Sequence, residues 1–369
     1  MRLLISGGGT GGHVYPALTV AAAVLNLAAE RREAADLLYV GRADSVESRL
    51  AQRAQIAFQA IRVGGVRGLA PWTALYNLGR VFRSVGRVRG VIRSFKPTVV
   101  FATGGYVSAP VVWASAAEHV PSVIYLPDLE PGWAIRVSAR WATRVAVSFP
   151  EVQKYFAPNK TIVSGYPVRA EFFNTNKESA RYKFQLEPKM HTLTILGGST
   201  GAHSINQAVV DHLVELAQFA QVILIAGRND EEWVKAQAEH LPADLRNRVR
   251  MYGYLDEDLS HALAAADVVV ARAGAATLGE FPALGLPAIL VPYPHAGKHQ
   301  ERNAQFLCER GAAIQIDNAA LVDELVPTLK RLFDAPEQLM KMSAAMHALA
   351  QPHAAANIAA LLQLIEAHA

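Results

Sequence analysis

Met1-Arg2-Leu3-Leu4-Ile5-Ser6-Gly7-Gly8-Gly9-Thr10-Gly11-Gly12-His13 decides the fold. Leu3–Ser6 is a short apolar run that reads as a strand, and a helical pattern follows from about Pro16. Strand, glycine turn and helix in that order make the first unit of a doubly wound parallel sheet. Glycines let the backbone approach a ligand closely, and they leave amides at a helix N-terminus, where the dipole favours anions. Arg2 and the apolar residues behind it imitate a leader peptide, but the run is too short and ends in glycines.

The same alternation runs outward along the chain. Strand candidates in the first half are Leu3–Ser6, Leu37–Val40, Val99–Ala102, Ser122–Tyr125 and Val145–Ser148. In the second half they are Thr192–Leu196, Val222–Ala226, Val249–Tyr252, Val268–Ala271 and Ala288–Val291. Such short, nearly wholly apolar runs suit strands covered on both faces by the intervening helices. The pattern restarts at His191, after a polar segment, Asn174–Met190. With 369 residues available, the expectation is an α/β chain of two tandem Rossmann-like domains, about 1–164 and 165–351. A last helix, about 352–369, is free to pack on either.

Composition narrows the class. A single cysteine, Cys308, excludes an intrachain disulfide and a cysteine-built metal site, so a reducing, cytoplasmic compartment is expected. No uninterrupted apolar run reaches the roughly 18 residues that span a bilayer. The net charge of +4 is the sum of +10 over residues 1–164 and −6 over the rest. That asymmetry turns the first half toward an anionic partner: nucleic acid, phospholipid headgroups or a phosphorylated substrate.

Gly7-x-Gly9-x-x-Gly12 satisfies a dinucleotide fingerprint, but that reading needs an acid after the second strand to hold the ribose. The strand ends Tyr39-Val40-Gly41-Arg42, which argues against a nicotinamide cofactor. Further glycine turns follow strands at Thr103-Gly104-Gly105 and Gly197-Gly198-Ser199-Thr200-Gly201. Each alone is explained by a tight connection, but three at equivalent places favour a phosphate-bearing ligand. Glu280 follows the small-residue turn Arg272-Ala273-Gly274-Ala275-Ala276, one to two turns inside a helix. It is either a solvated helix residue or a carboxylate placed to accept two hydrogen bonds from a ribose diol. Downstream, Pro292-Tyr293-Pro294-His295 and Lys298-His299-Gln300-Glu301-Arg302-Asn303 crowd polar groups beyond a strand end, where open α/β sheets bind ligands.

Together these motifs resemble the MurG family of GT-B glycosyltransferases over nearly the whole chain. The resemblance is carried by GGGTGGHVYPA, FATGGYVSAPV, SGYPVR, LGGSTGA and RAGAATLGEFPALGLPAILVPYPHAGKHQERNA, in that order. It implies two Rossmann-like domains with the active site in the cleft between them and a C-terminal helix that returns to the first domain. It also implies an inverting transfer of GlcNAc from UDP-GlcNAc to the 4-hydroxyl of an undecaprenyl-diphosphate-linked MurNAc, in peptidoglycan synthesis. By the same resemblance Glu280 takes the ribose hydroxyls, Ser199 meets the diphosphate and Arg169 lies near the nucleotide. The backbone of Leu255 reads the uracil, and His299, Gln300 and Asn303 hold the sugar. Thr10, Gly11, Gly12, Gly104 and Gly105 receive the acceptor diphosphate. His13 is either the base that deprotonates the acceptor or a residue that only orders the loop or binds the diphosphate, and an imidazole suits the first task. No Asp-x-Asp pair stands at a strand end, so helix dipoles and amides are expected to stabilise the leaving group without a required metal or cofactor.

The sequence departs from the family in one loop. Where members carry Glu-Gln-Asn shortly before Pro-Gly, this chain reads Leu126-Pro127-Asp128-Leu129-Glu130-Pro131-Gly132. Asp128 is a second candidate base, a charge that repels a diphosphate, or a simple turn residue. Residues 62–93 carry Arg62, Arg67, Arg80, Arg83, Arg87, Arg89 and Arg93, interleaved with apolar residues and without an acid. This reads as a peripheral surface for anionic inner-leaflet lipids on the cytoplasmic face of the cell membrane. The alternatives are a solvated helix face or a nucleic-acid surface, for which no binding module is present. Rival functions are transfer to another lipid or metabolite and a UDP-GlcNAc 2-epimerase of the same fold.

Overall fold

The computed structural model describes residues 1–62, 71–105, 107–198, 201–294 and 298–368, with the side chains of 71–82 left out. The chain divides into two compact units: Met1–Val168 with Pro352–Ala369, and Arg169–Gln351. Each is built on one wholly parallel sheet.

The first sheet has seven strands: β1 (Arg2–Ser6), β2 (Asp36–Gly41), β3 (Ala57–Ala60), β4 (Val99–Ala102), β5 (Ser122–Leu126), β6 (Arg144–Val147) and β7 (Thr161–Val163). Their spatial order is β3-β2-β1-β4-β5-β6-β7. The second has six: β8 (Thr192–Leu196), β9 (Gln221–Ile225), β10 (Val249–Tyr252), β11 (Val268–Ala271), β12 (Ala288–Leu290) and β13 (Ala313–Gln315), in the order β10-β9-β8-β11-β12-β13. Both orders reverse direction beside the first strand, between β1 and β4 and between β8 and β11. At those switch points the connections leave in opposite directions and open a crevice beyond the strands' C-terminal ends. The glycine turns stand there in both units.

Period-two alternation explains the layering. Leu3 and Ile5 are buried on one face against Ala17, Val20 and Val24 of helix Gly11–Arg31 and Ile358 and Leu362 of helix Ala354–Ala367. Leu4, between them, packs on the other face with Val88, Ile92 and Val111. The C-terminal helix thus belongs to the core of the first unit. Asn357 Nδ2 also donates to the Ser164 carbonyl at 3.1 Å. Fully burying each such aliphatic side chain contributes about 1.5–3 kcal/mol. Helix Gly11–Arg31 is long and apolar enough to cross a membrane by length and composition. The buried stripe just named accounts for that composition.

Two local expectations are corrected. The first helix begins at Gly11, not near Pro16, which lies inside it. A proline there forgoes the bond to the Gly12 carbonyl near the start of the helix. Glu280 does not lie one to two turns inside a helix: a 3-10 turn, Ala275–Leu278, precedes it, and it is the first residue of the short helix Glu280–Leu284.

Candidate functional site

In the first unit the turns after β1 and β4 are packed on each other. Gly8 N–H points to the Gly104 carbonyl at 3.4 Å. Gly105 has φ +80°, and a methyl group there would lie 2.2 Å from the Gly8 carbonyl oxygen. Only glycine permits this approach. His13 is half-buried in the first turn of its helix, and its ring lies over Gly104. Two hydrogen bonds tie it to the second turn: Nδ1 to the Thr103 carbonyl at 2.8 Å, and Thr103 Oγ1 to the His13 carbonyl at 2.7 Å. A carbonyl oxygen only accepts, so Nδ1 carries the proton. In the neutral ring the basic lone pair is then on Nε2. Thr10 is the N-cap residue of this helix, and Gly11 and Gly12 are its first two residues. Their amides precede the first i→i−4 bond and face the helix's positive end outward.

Asp128 is half-buried in the loop that leaves β5. The strand end is fixed beneath it: Ser148 Oγ donates to the carbonyls of Leu126 and Pro127 at 3.3 and 3.2 Å and is bonded to Tyr125 Oη at 2.7 Å.

In the second unit, the turn after β11 collects charged side chains. The Glu280 side chain is 13 % exposed, so it is not a solvated helix residue. Arg169 lies beside it, with Nη2 at 4.0 Å, while Arg169 Nη1 lies 3.0 Å from Glu171. Burial pushes the Glu280 carboxyl up to about 7, against the pull of Arg169 and with the charge of Glu171 adding to the rise. Arg272 leaves the end of β11 half-buried, donating to the carbonyls of Val291 and Pro292 at 3.0 and 3.3 Å and to Ser204 Oγ at 2.7 Å. Its guanidinium also lies 5.3 Å from the Tyr293 ring centroid. Sequence alone gives Arg272 no role. The signal available was a charge placed immediately after an apolar strand at a switch point.

The remaining expected residues divide. Gln300 Oε1 accepts from Tyr293 N at 2.8 Å, and His299 opens helix His299–Glu309 half-buried. Asn303, one turn on, is fully buried and donates to the Ala273 carbonyl at 3.1 Å, so it ties that helix to the turn after β11. Leu255 stands three residues beyond β10, half-buried against the cluster of Phe184 and Ile223. Ser199 lies outside the described residues, as do Arg67 and the side chain of Arg80. The basic stretch is less free than its sequence suggests. Glu118 receives Arg89 Nε at 2.5 Å and Arg93 Nε at 2.9 Å, and these arginines hold its carboxyl down at about 2. Arg83 and Arg87 remain exposed.

Comparison with known proteins covers both units. The Glycosyltransferase family 28 N-terminal domain matches residues 3–147, and the Glycosyltransferase family 28 C-terminal domain matches residues 192–360. A UDP-N-acetylglucosamine--N-acetylmuramyl-(pentapeptide) pyrophosphoryl-undecaprenol N-acetylglucosamine transferase of Roseiflexus sp. (strain RS-1) is 38 % identical, over 99 % of this chain and 95 % of that protein. The crystal structure of Acinetobacter baumannii MurG has a TM-score of 0.74 at 25 % identity, covering 98 % of this chain and 99 % of that one. A UDP-GlcNAc 2-epimerase from Neisseria meningitidis has a TM-score of 0.70 at 13 % identity, covering 99 % of this chain and 100 % of that one, a likeness of fold alone.

Proposed function

The chain belongs to the MurG family within glycosyltransferase family 28, and on that premise we propose that it moves GlcNAc from UDP-GlcNAc to the lipid-linked MurNAc acceptor of peptidoglycan synthesis. The observation that carries this reading is similarity along the full length of relatives named for that reaction, with both family domains in order.

The second unit is the donor half. Glu280 in its ionised form accepts the ribose diol, and Arg169 keeps positive charge beside it. The diphosphate meets the amides of the turn after β8, with Ser199 among them, and Arg272 supplies a guanidinium at the end of β11. Leu255 offers its backbone to the uracil edge. His299 and Gln300 take the sugar hydroxyls, and Asn303 holds their helix in place through Ala273.

The first unit is the acceptor half. The amides of Thr10, Gly11 and Gly12, with the turn at Gly104 and Gly105, receive the acceptor diphosphate. His13 Nε2 takes the proton from the 4-hydroxyl as its oxygen attacks the anomeric carbon from the face opposite UDP, so configuration inverts. Asp128 stands as the alternative base. Charge on UDP is met by fixed dipoles and guanidinium, which need no reorganisation during the reaction. The exposed arginines of the first unit hold the protein at an anionic lipid surface, where the acceptor resides.

The test is UDP release from UDP-GlcNAc, with and without a soluble analogue of the lipid-linked acceptor, in EDTA. Acceptor-dependent release in EDTA is expected. Donor binding without turnover would leave the donor half standing and redirect the search to another acceptor. Release without acceptor would point to a hydrolase or a hydrolysing 2-epimerase instead, with water taking the sugar.

A further inference from the structure

We propose that Glu47 is a positioning residue for the acceptor half: it holds the first glycine turn in the shape that presents Thr10–Gly12 and His13 to the ligand. The inference rests on the reading of the first unit as the acceptor half.

Glu47 is the second residue of helix Val46–Arg53, whose N-terminus is closed by a capping box of Ser45 and Ser48. It is 1 % exposed, and a carboxylate so deeply buried is costly unless its oxygens are satisfied. The donors it meets are backbone amides. Gly9 N–H reaches Oε2 at 3.5 Å and Arg42 N–H reaches Oε1 at 3.3 Å, both long contacts. The surroundings are shaped to this side chain. A methyl group on Gly8 would lie 2.6 Å from Glu47 Oε1, and one on Gly41 would lie 2.7 Å from its Cγ. Beside it, Tyr39 Oη donates to the Gly7 carbonyl at 2.7 Å.

These contacts sort the amides of the turn. Gly8 N–H is turned toward the Gly104 carbonyl and Gly9 N–H toward Glu47, so both have acceptors within the protein. Thr10, Gly11 and Gly12 come next, and their amides lie before the i→i−4 ladder that starts with Val14 N–H on the Thr10 carbonyl at 3.3 Å. A negative charge behind an anion site repels the ligand, so the benefit of Glu47 is geometric. It fixes φ at Gly9 to +93° and with it the direction in which the next three amides point.

Glu47→Gln in the full-length chain tests this. The variant keeps the volume, but both oxygens accept N–H groups, so an amide sets its NH2 against one of them. The kinetics are measured with each substrate varied in turn, and UDP-GlcNAc binding is followed by calorimetry. The expected result is a fall in kcat/KM for the acceptor analogue on the order of tenfold, with donor affinity unchanged. Acceptor parameters unchanged in a folded variant, or a matching loss of UDP-GlcNAc affinity by calorimetry, overturns the proposal. If the variant does not fold, Glu47→Asp, which keeps both oxygens but draws them back from Gly9 and Arg42 by one methylene, takes its place. Its expected loss is roughly threefold on the acceptor side only, and no loss overturns the proposal. A wild-type chain without acceptor-dependent turnover overturns the acceptor reading itself, whereas a normal wild type beside an unaltered Glu47→Gln overturns this inference alone.

Discussion

The two switch points share a topology and use different materials. Beyond β1 and β4 the crevice is made of backbone: paired glycine turns, helix-terminal amides and one imidazole whose tautomer a carbonyl sets. Beyond β11 it is made of half-buried charge: Glu280, Arg169 and Arg272. A site made of backbone is damaged by added atoms, and charge changes reach it only through the side chains that hold the turns, Glu47 among them. A site made of buried charge tolerates isosteric substitution sterically, but it loses affinity whenever a charge is removed. The same sheet order therefore supports two failure modes, and substitutions can tell them apart.

Gly105→Ala should have the largest effect. Its methyl group meets the Gly8 carbonyl at 2.2 Å, at a φ of +80° that disfavours any side chain. We expect acceptor-dependent turnover to fall at least about 10³-fold and stability to drop about 2–4 kcal/mol. Calorimetry should still show UDP-GlcNAc binding, since the donor groups lie in the other unit. Retained turnover would mean that the paired turns yield easily, and the contrast would lose its first half.

His13→Ala comes next, with kcat expected to fall about 10²–10⁴-fold at unchanged donor KM, the range for a lost general base. A rise in acceptor KM at constant kcat would instead make His13 an anchor for the diphosphate. Asp128→Asn, measured alongside, decides between the two candidate bases, and its kcat is expected to change little.

Glu280→Gln tests the other half of the comparison. In the folded chain its carboxyl titrates near 7 rather than at the ordinary 4.5, because burial disfavours the charge. The folded state therefore holds a proton between those values that the unfolded chain releases. The stability this provides is complete below the unfolded value and is lost as pH rises through about 7. At pH 8 the free protein carries a buried charge, and glutamine removes that cost. Thermal unfolding should show a gain with an upper limit of about 3 kcal/mol. Donor affinity should fall about 10–100-fold, the scale of lost hydrogen bonds to a charged acceptor. Wild-type donor affinity should likewise weaken as pH falls below 7, while the variant stays flat. A variant that loses both affinity and stability would place Glu280 among structural residues.

The central strands were legible because burial on both faces leaves an unbroken apolar run, as in Val99–Ala102 and Val268–Ala271. The short edge strands β3, β7 and β13, Ala-Phe-Gln-Ala, Thr-Ile-Val and Ala-Ile-Gln, are not legible in this way, because partial exposure breaks that signal. Glycine turns were legible as turns, but their packing against each other was not, since it joins residues about a hundred positions apart. Glu47 was invisible for the same reason: nothing local distinguishes a glutamate under a loop from one on a solvated helix. Glu118 gave the reverse error, because an acid outside the basic stretch neutralises part of it.

That pairing gives the smallest effect. Arg83 and Arg87 are exposed, whereas Arg89 and Arg93 already share Glu118. On vesicles rich in anionic lipid, Arg83→Ala and Arg87→Ala should each weaken binding about fivefold, near 1 kcal/mol per surface arginine. Arg89→Ala or Arg93→Ala should cost less, because those guanidiniums are held on the Glu118 carboxylate rather than turned to the headgroups. Glu118→Gln should strengthen binding by releasing both, and added salt should shrink every one of these differences. Equal losses at all four arginines would show that the lipid draws Arg89 and Arg93 away from Glu118. Charge on the first unit would then act as one surface, separate from the uncharged backbone of its ligand turns.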